Sequence, residues 1–349
     1  MAMGTPRRSA ETVADLLVKA NLTGHDSHGI VYLTRYAGRI KRGIIDPKAE
    51  PEVLKETPTT ALVDGHWTFG QLTAKKAMEV AIKKATTSSI GAVGTFHCNH
   101  TGRLGEYTMM ATEHDMIGML FGNGPRSPYV QPYGAASALY ASNPMSAAVP
   151  AGKMKAFLLD FATSAVAEGK VALARLRGER IPLGWIVDKN GNPTDDPKDF
   201  YPSDAAKDGD RGRLLTFGAT APGQGHKGYC LSILMEILGG ILTGTGAAGS
   251  VNYEEIREAQ NGILVMAINV ESFMPIATFK GRVDALFRRV HELPVQSGFK
   301  YDHVLIPGEP EWYAQEKRLE EGIEVEETTW QDITKLAKEL GLDIEQIMK

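Results

Sequence analysis

Two cysteines, Cys98 and Cys230, are all that this chain of 349 residues carries. That is too few for a disulfide framework or a cysteine-rich zinc site, and it points to a reducing cytoplasm. An excess of basic charge is also missing: 38 Lys and Arg stand against 42 Asp and Glu, for a net charge of −4. Without a basic stripe neither nucleic acid nor an anionic membrane surface is an expected partner. Long hydrophobic runs are absent too. The most apolar stretch, Tyr229–Thr243, is interrupted by Ser232 and Glu236 and is shorter than the roughly 20 residues that span a bilayer. Arg7-Arg8 invites comparison with a twin-arginine export signal, but Glu11, Asp15 and Lys19 deny it an apolar core. No internal repeat or low-complexity tract breaks the sequence.

What is present reads as a soluble globular chain, 43% hydrophobic and 23% charged, long enough for two domains. Ala10–Ala20 and Ile30–Ile40 have helical spacing, and Pro47, Pro51 and Pro58 then mark an extended connector. Ala61–Asp64 is a short strand. Thr73–Thr86 is an amphipathic helix with Lys75, Lys76, Lys83 and Lys84 turned to water. From Gly91 the runs Ala92–Phe96, Met116–Phe121, Ala147–Val149, Ala156–Leu159 and Ile263–Val270 suggest buried strands. Phe161–Arg177, Tyr229–Leu242 and the charged segment Glu311–Lys349 are expected helices. Asp188–Arg213, rich in Asp, Pro and Gly, reads as a surface excursion.

Chemistry enters with two histidines, His28 in Asp26–Gly29 (DSHG) and His100 in Thr95–Tyr107 (TFHCNHTGRLGEY), each close to glycines. Imidazole titrates near neutrality and can exchange a proton with a carbonyl or alcohol oxygen. Gly244–Gly249 (GTGAAG) matches a GxGxxG pattern, but that fingerprint needs a strand before its first glycine, and helical spacing precedes it here. A phosphate cradle is better placed at Asp160–Ser164, after an apolar strand, where Thr163 or Ser164 could cap the following helix; a capped helix with nothing bound is the other reading. His226-Lys227-Gly228 opens a helix with a cation at the wrong pole, so it either meets an anion or is merely exposed. His25, His28, His97 and His100 include an HxxH spacing, but no thiolate pair or HExxH helix supports a metal, and none is expected. A nucleophile elbow is lacking, and adjacent Ser27 and His28 are a poor nucleophile–base pair, so serine hydrolysis is not expected.

Seven motifs then fall in order: Asn21–Gly29 (NLTGHDSHG), His100–Gly105 (HTGRLG), Ser142–Pro144 (SNP), Leu159–Ser164 (LDFATS), Pro182–Trp185 (PLGW), Gly225–Tyr229 (GHKGY) and Ile306–Glu309 (IPGE). In these the chain resembles the type 2 malate/L-lactate dehydrogenase family over nearly its whole length, with the hydroxycarboxylate dehydrogenase branch most similar. The resemblance implies an α/β, non-Rossmann NAD(P)-binding fold with a mixed or antiparallel sheet. It implies a helical domain from both chain ends, residues 1–60 and 275–349, against an α/β domain, residues 61–274. It further implies a homodimer and NAD- or NADP-linked interconversion of 2-hydroxy and 2-oxo acids.

Carried over residue by residue, His100 resembles the general acid/base, with His28 and Ser27 lining the substrate. His28, Gly102, Arg103, Leu104, Asp160, Phe161, Ala162, Thr163, Ser164, His226, Lys227, Asn261, Pro307, Gly308 and Glu309 resemble cofactor contacts. Two departures stand out. Many members carry Arg four residues after the DSHG histidine, a bidentate carboxylate clamp, where this chain has Tyr32. Arg35 lies three residues further on, and Arg103 or a backbone donor is the expected replacement. The DSHG motif also lies early in the chain, so a first helix is expected to be missing and dimer packing to differ. A nicotinamide-binding protein without turnover and an imine-acid or ureidoglycolate-type reductase are the alternatives.

Overall fold

Alanine spacing decides where the central helix goes. Ala74, Ala77, Ala81 and Ala85 recur along one face of Gly70–Ser88, and all four are fully buried. Small side chains let the helix approach the sheet closely, and Gly91 tightens the fit: a Cβ there would sit 2.1 Å from the Ala81 carbonyl oxygen. This computed structural model describes residues 1–201, 211–219, 224–249 and 257–344.

The helices are α1 (Arg7–Leu22), α2 (Tyr32–Lys41), α3 (Gly70–Ser88), α4 (Gly105–Thr112), α5 (Glu168–Arg177), α6 (Pro197–Phe200), α7 (His226–Met235), α8 (Ile276–His291), α9 (Glu309–Glu321) and α10 (Glu327–Glu339). The strands are β1 (Glu52–Glu56), β2 (Thr60–Asp64), β3 (Ile90–Cys98), β4 (Met116–Asn123), β5 (Pro144–Val149), β6 (Phe157–Ala162), β7 (Ile186–Val187), β8 (Pro193–Thr194), β9 (Arg213–Leu214) and β10 (Asn261–Asn269). Seven of them form a mixed sheet in the order β1-β2-β3-β10-β4-β5-β6. Among the described residues β2 and β3 are its one parallel pair. The fold is therefore α/β. No helix among the described residues is long and apolar enough to cross a membrane.

β4 and β10 are covered on both faces, which is why their sequences run apolar rather than alternating. On one side α3 and α4 bring Met78, Tyr107 and Ala111 against Val93, Leu120 and Val265. On the other, α7 and its π-helical continuation Glu236–Ile241 pack Met235 and Leu238 on Phe121 and Leu264. Gly239 and Gly262 touch there; a Cβ on Gly262 would lie 2.1 Å from the Gly239 carbonyl oxygen. The ends of the chain also meet. Lys41 closes α2 with an ion pair to Glu339 of α10 at 2.9 Å, and Arg318 of α9 reaches Asp26 just after α1.

Several expectations are corrected. Lys84 does not face water: it is buried and donates to Glu56 Oε2 (2.9 Å) and the Thr57 carbonyl (2.6 Å), tying α3 to the sheet edge. The proline-marked connector contains β1, an exposed, charged edge strand of the kind that resists further pairing. β6 runs on through Ala162, with Phe161 opposite Met145 and Ala162 opposite Pro144, so α5 starts only at Glu168. Thr163 and Ser164 therefore do not cap it. Thr163 Oγ1 bonds the Ser142 and Asn143 carbonyls and Ser232 Oγ, while Ser164 Oγ donates to the Val166 carbonyl. The Asp188–Arg213 excursion contributes β8, α6 and an edge of a three-stranded sheet whose Phe200 is buried; its residues 202–210 lie outside the described residues. The C-terminal helical segment is two helices, parted at Gly322 (φ +90°), and residues 345–349 lie outside the described residues.

Candidate active site

The DSHG loop is built from α1 outward. Asn21, buried at the end of that helix, donates from Nδ2 to Asp26 Oδ1 (2.7 Å) and accepts the Ile30 N–H on Oδ1 (2.8 Å). Its amide fills the space where Gly29 would carry a side chain, since a Cβ there would stand 2.1 Å from Asn21 Oδ1. From the far end of the sequence Arg318 grips both Asp26 oxygens, at 2.7 and 2.9 Å. Between these anchors lie Ser27 and His28. Contrary to the expectation for neighbours, Ser27 Oγ is 3.1 Å from His28 Nδ1, because the short 3₁₀ turn Asp26–His28 folds the two side chains together.

His100 follows β3 and is held by a buried relay. Gln71 Nε2 donates to Tyr36 Oη at 2.6 Å, and that hydroxyl is 2.9 Å from His100 Nδ1. The hydroxyl oxygen has two lone pairs and can accept the Nδ1–H as well as the amide, the tautomer that leaves the Nε2 lone pair free for chemistry. Tyr32 stacks flat on the same imidazole, with centroids 4.2 Å apart and planes at 7°. His28 completes the group, its ring 5.7 Å from that of His100.

These rings line a cleft of 1180 Å³, large enough for a dinucleotide and a small acid together. Gly102, Gly122, Gly124, Ser142 and Asn261 form further parts of its wall, and α5 and the α9–α10 connection close it. Arg35 and Arg39 project from successive turns of α2 into it; Arg35 lies over the Tyr32 ring at 4.9 Å. Arg39 Nη1 is buried without a hydrogen-bond partner. An orphaned guanidinium nitrogen in a cleft is a donor set for an anion, and the small-residue wall admits a flat ring, so the residues present fit a nicotinamide dinucleotide with an acid.

Burial and neighbouring cations together depress the two histidines. Burial, reinforced by His28, Arg39 and Arg35, holds His100 well below the ordinary imidazole range. Burial, with His25, Arg35 and Arg103, lowers His28 to about 4. Burial pushes the Tyr36 hydroxyl upward, so it stays a neutral hydroxyl. Burial also raises Glu168, on the cleft wall, against the opposing pull of Arg35.

Of the residues singled out in the sequence, Ser27, His28, His100, Gly102, Leu104 and Asn261 come together around this cleft. The others lie elsewhere. Arg103 is buried behind the wall, paired with Glu106 and 3.9 Å from Asp160; burial raises Asp160, whose Oδ2 accepts the Gly105 N–H at 2.7 Å. Arg103 Nη1 is taken by Glu106, while its Nε and Nη2 are buried without a hydrogen-bond partner. Phe161 packs edge-on against Phe217, and Ala162, Thr163 and Ser164 sit in β6 and the turn after it. His226 and Lys227 are exposed at the start of α7. Pro307 caps the β6 ladder by accepting the Leu158 N–H, Gly308 lies beside Leu158, and Glu309 bonds the Ile306 N–H. The GTGAAG loop follows helix, as its periodicity required. It is pinned by the buried Glu236, which accepts from Asn143 Nδ2 (2.7 Å) and the Ala248 N–H (2.8 Å). Nor do the four histidines gather: His97 pairs with Asp64, His25 with Glu311 and His100 with Tyr36.

Sequence reasoning missed Tyr36, Gln71 and Arg39. Tyr36 and Arg39 follow the DSHG histidine at helical intervals and face inward with Tyr32 and Arg35, a signal that was available; Gln71 sits on another helix and gives none.

His28, His100, Arg35 and Arg39 share one cleft of this fold, and comparison with known proteins gives the class. The malate/L-lactate dehydrogenase family model matches residues 1–334. The chain is 37% identical to L-sulfolactate dehydrogenase of Methanocaldococcus jannaschii, covering 99% of this chain and 94% of that one. It is 31% identical to hydroxycarboxylate dehydrogenase B of Escherichia coli, covering 99% and 91%. The crystal structure of malate dehydrogenase from Entamoeba histolytica superposes with a TM-score of 0.90 at 28% identity, over 98% of this chain and 94% of that one. The chain belongs to the malate/L-lactate dehydrogenase family, a family of hydroxy-acid oxidoreductases.

Proposed function

We propose that this protein interconverts a 2-hydroxy acid and its 2-oxo acid with NAD or NADP, His100 moving the hydroxyl proton. The observation that carries the reading is the Gln71–Tyr36–His100 relay ending in the cleft beside Arg35 and Arg39. A bound nicotinamide would supply or accept the hydride at C2; His28, Gly102, Leu104 and Asn261 are the wall residues that would hold it.

Everything else falls to the chain itself. Tyr36 fixes the tautomer, so Nε2 of His100 takes the hydroxyl proton in oxidation and returns it to the nascent alkoxide in reduction. Arg35 and Arg39 hold the carboxylate in place of the arginine that Tyr32 replaces, and Tyr32 shields one face of His100 from water. His100 is neutral in the free enzyme, ready as a base. A carboxylate bound at the arginines offsets their field and eases the proton uptake that reduction needs.

The test is oxidation of NADH and NADPH, followed by nicotinamide absorbance, with pyruvate, oxaloacetate, sulfopyruvate, phenylpyruvate and a cyclic imine acid. Turnover of a 2-oxo acid supports the reading and names both cofactor and side chain. Nicotinamide binding without turnover of any acid defeats it, and turnover of the imine alone shifts the reaction to carbon–nitrogen bonds.

A further inference from the structure

We infer that His291, His303 and Glu309 form a second binding site, for a divalent transition metal of the zinc type, away from the cleft. His291 ends α8, Glu309 begins α9, and His303 lies in the connection between them. One ligand atom from each falls within 4.8 Å of the others. Around a tetrahedral ion with bonds of about 2.0–2.1 Å, neighbouring ligand atoms stand roughly 3.3 Å apart, so small side-chain rotations close the set.

The geometry is that of ligands more than of an ordinary ion pair. His291 Nε2 is 2.9 Å from Glu309 Oε1, yet it is buried and makes no hydrogen bond. The oxygen therefore lies off the axis an N–H would take, as it does when nitrogen and oxygen face a shared cation. His303 is oriented from behind: its Nδ1 is 2.6 Å from Asp302 Oδ1, which places the ring proton there and leaves the Nε2 lone pair to accept from the Tyr313 hydroxyl, with Glu309 Oε2 at 3.8 Å. Glu309 is itself steadied by the Ile306 N–H at 2.7 Å, and Tyr313 Oη stands 3.1 Å from His303 Nε2 as a further oxygen. Two imidazoles and one carboxylate suit zinc and its neighbours, whereas magnesium and calcium favour oxygen alone.

None of the three residues lines the cleft, so the metal would be structural. It would clip the end of α8 to the start of α9. That helix carries Glu311 and Arg318, which contact His25 and Asp26 beside the catalytic loop. The site stands whether or not the proposed dehydrogenase activity is found, because its readout is metal binding.

The experiment is calorimetric titration of the chelator-treated full chain with Zn²⁺, paired with thermal melting with and without the metal. One equivalent per chain, a raised melting temperature, and no such effect from Mg²⁺ are expected. His303→Gln and His291→Gln should each weaken binding at least about 10-fold while melting like the wild type when metal-free. His303 lies in a connection rather than in a helix, so His303→Gln decides the matter should His291→Gln fail to fold. Absence of stoichiometric Zn²⁺ binding, or binding that His303→Gln leaves unchanged, overturns the site.

Discussion

Tyr32 lies flat against His100, ring planes 7° apart and centroids 4.2 Å apart. The stack does two things that an arginine cannot. It covers one face of the imidazole with an uncharged surface, and it leaves the cation to Arg35, whose guanidinium lies over the same tyrosine at 4.9 Å.

His100→Ala should lower turnover by about 10²-fold or more while sparing nicotinamide binding, because it removes the proton carrier and nothing that holds the dinucleotide. Steady-state kcat beside a fluorescence titration of NADH and NADPH separates the two effects. A variant with near-normal kcat removes His100 from its role.

Tyr36→Phe keeps the ring and deletes the hydroxyl that fixes His100 Nδ1. An expected drop of about 10-fold in kcat, with KM nearly unchanged, follows from losing tautomer and orientation but not binding. An equal loss confined to KM would assign Tyr36 to substrate binding instead.

Arg35→Gln and Arg39→Gln should each raise KM for the acid by about 10-fold or more, since each removes a charge-assisted bond to the carboxylate. If neither variant changes KM, the carboxylate is held elsewhere.

Two pH effects follow from the depressed histidines. Reduction needs protonated His100, and its pKa is well below 6.5, so kcat/KM for reduction should climb as pH falls from about 8 to 6, while oxidation stays flat over that window. Stability moves the other way. Below about 6.5 the unfolded chain protonates His28 and the folded chain does not until about 4, so stability is lost progressively between those values. His28→Asn should flatten the fall in melting temperature across that range; an unchanged slope would assign it to other groups.

Glu236→Ala should destabilise the protein by about 2–4 kcal/mol, because it leaves the donors of Asn143 and Ala248 buried and unmatched. Chemical denaturation measures this directly. A loss under about 1 kcal/mol would mean that water replaces the carboxylate.

The strands were legible where both faces are covered, since Met116–Phe121 and Ile263–Ile268 are apolar without interruption. β1 was not, because an exposed edge strand between prolines carries the charges of a loop. The start of α5 was misplaced because DFATS has no strong pattern of its own, and pairing with β5 settled its conformation. At the site, His100 and His28 were readable as reactive groups near glycines, whereas the relay behind them joins α2 and α3 and is fixed only by packing. His291, His303 and Glu309 share no short spacing, so nothing in the sequence marks them as a group.

The bond from Asp26 to Arg318 has a meaning for the order of events in the cell. The loop that presents His28 leaves the ribosome well before its clamp, which lies 292 residues further along the chain. The sheet can form while synthesis continues, but the loop waits for α9 before it is fixed. A nascent chain would therefore hold a folded sheet and an unset His28 loop until Arg318 has emerged.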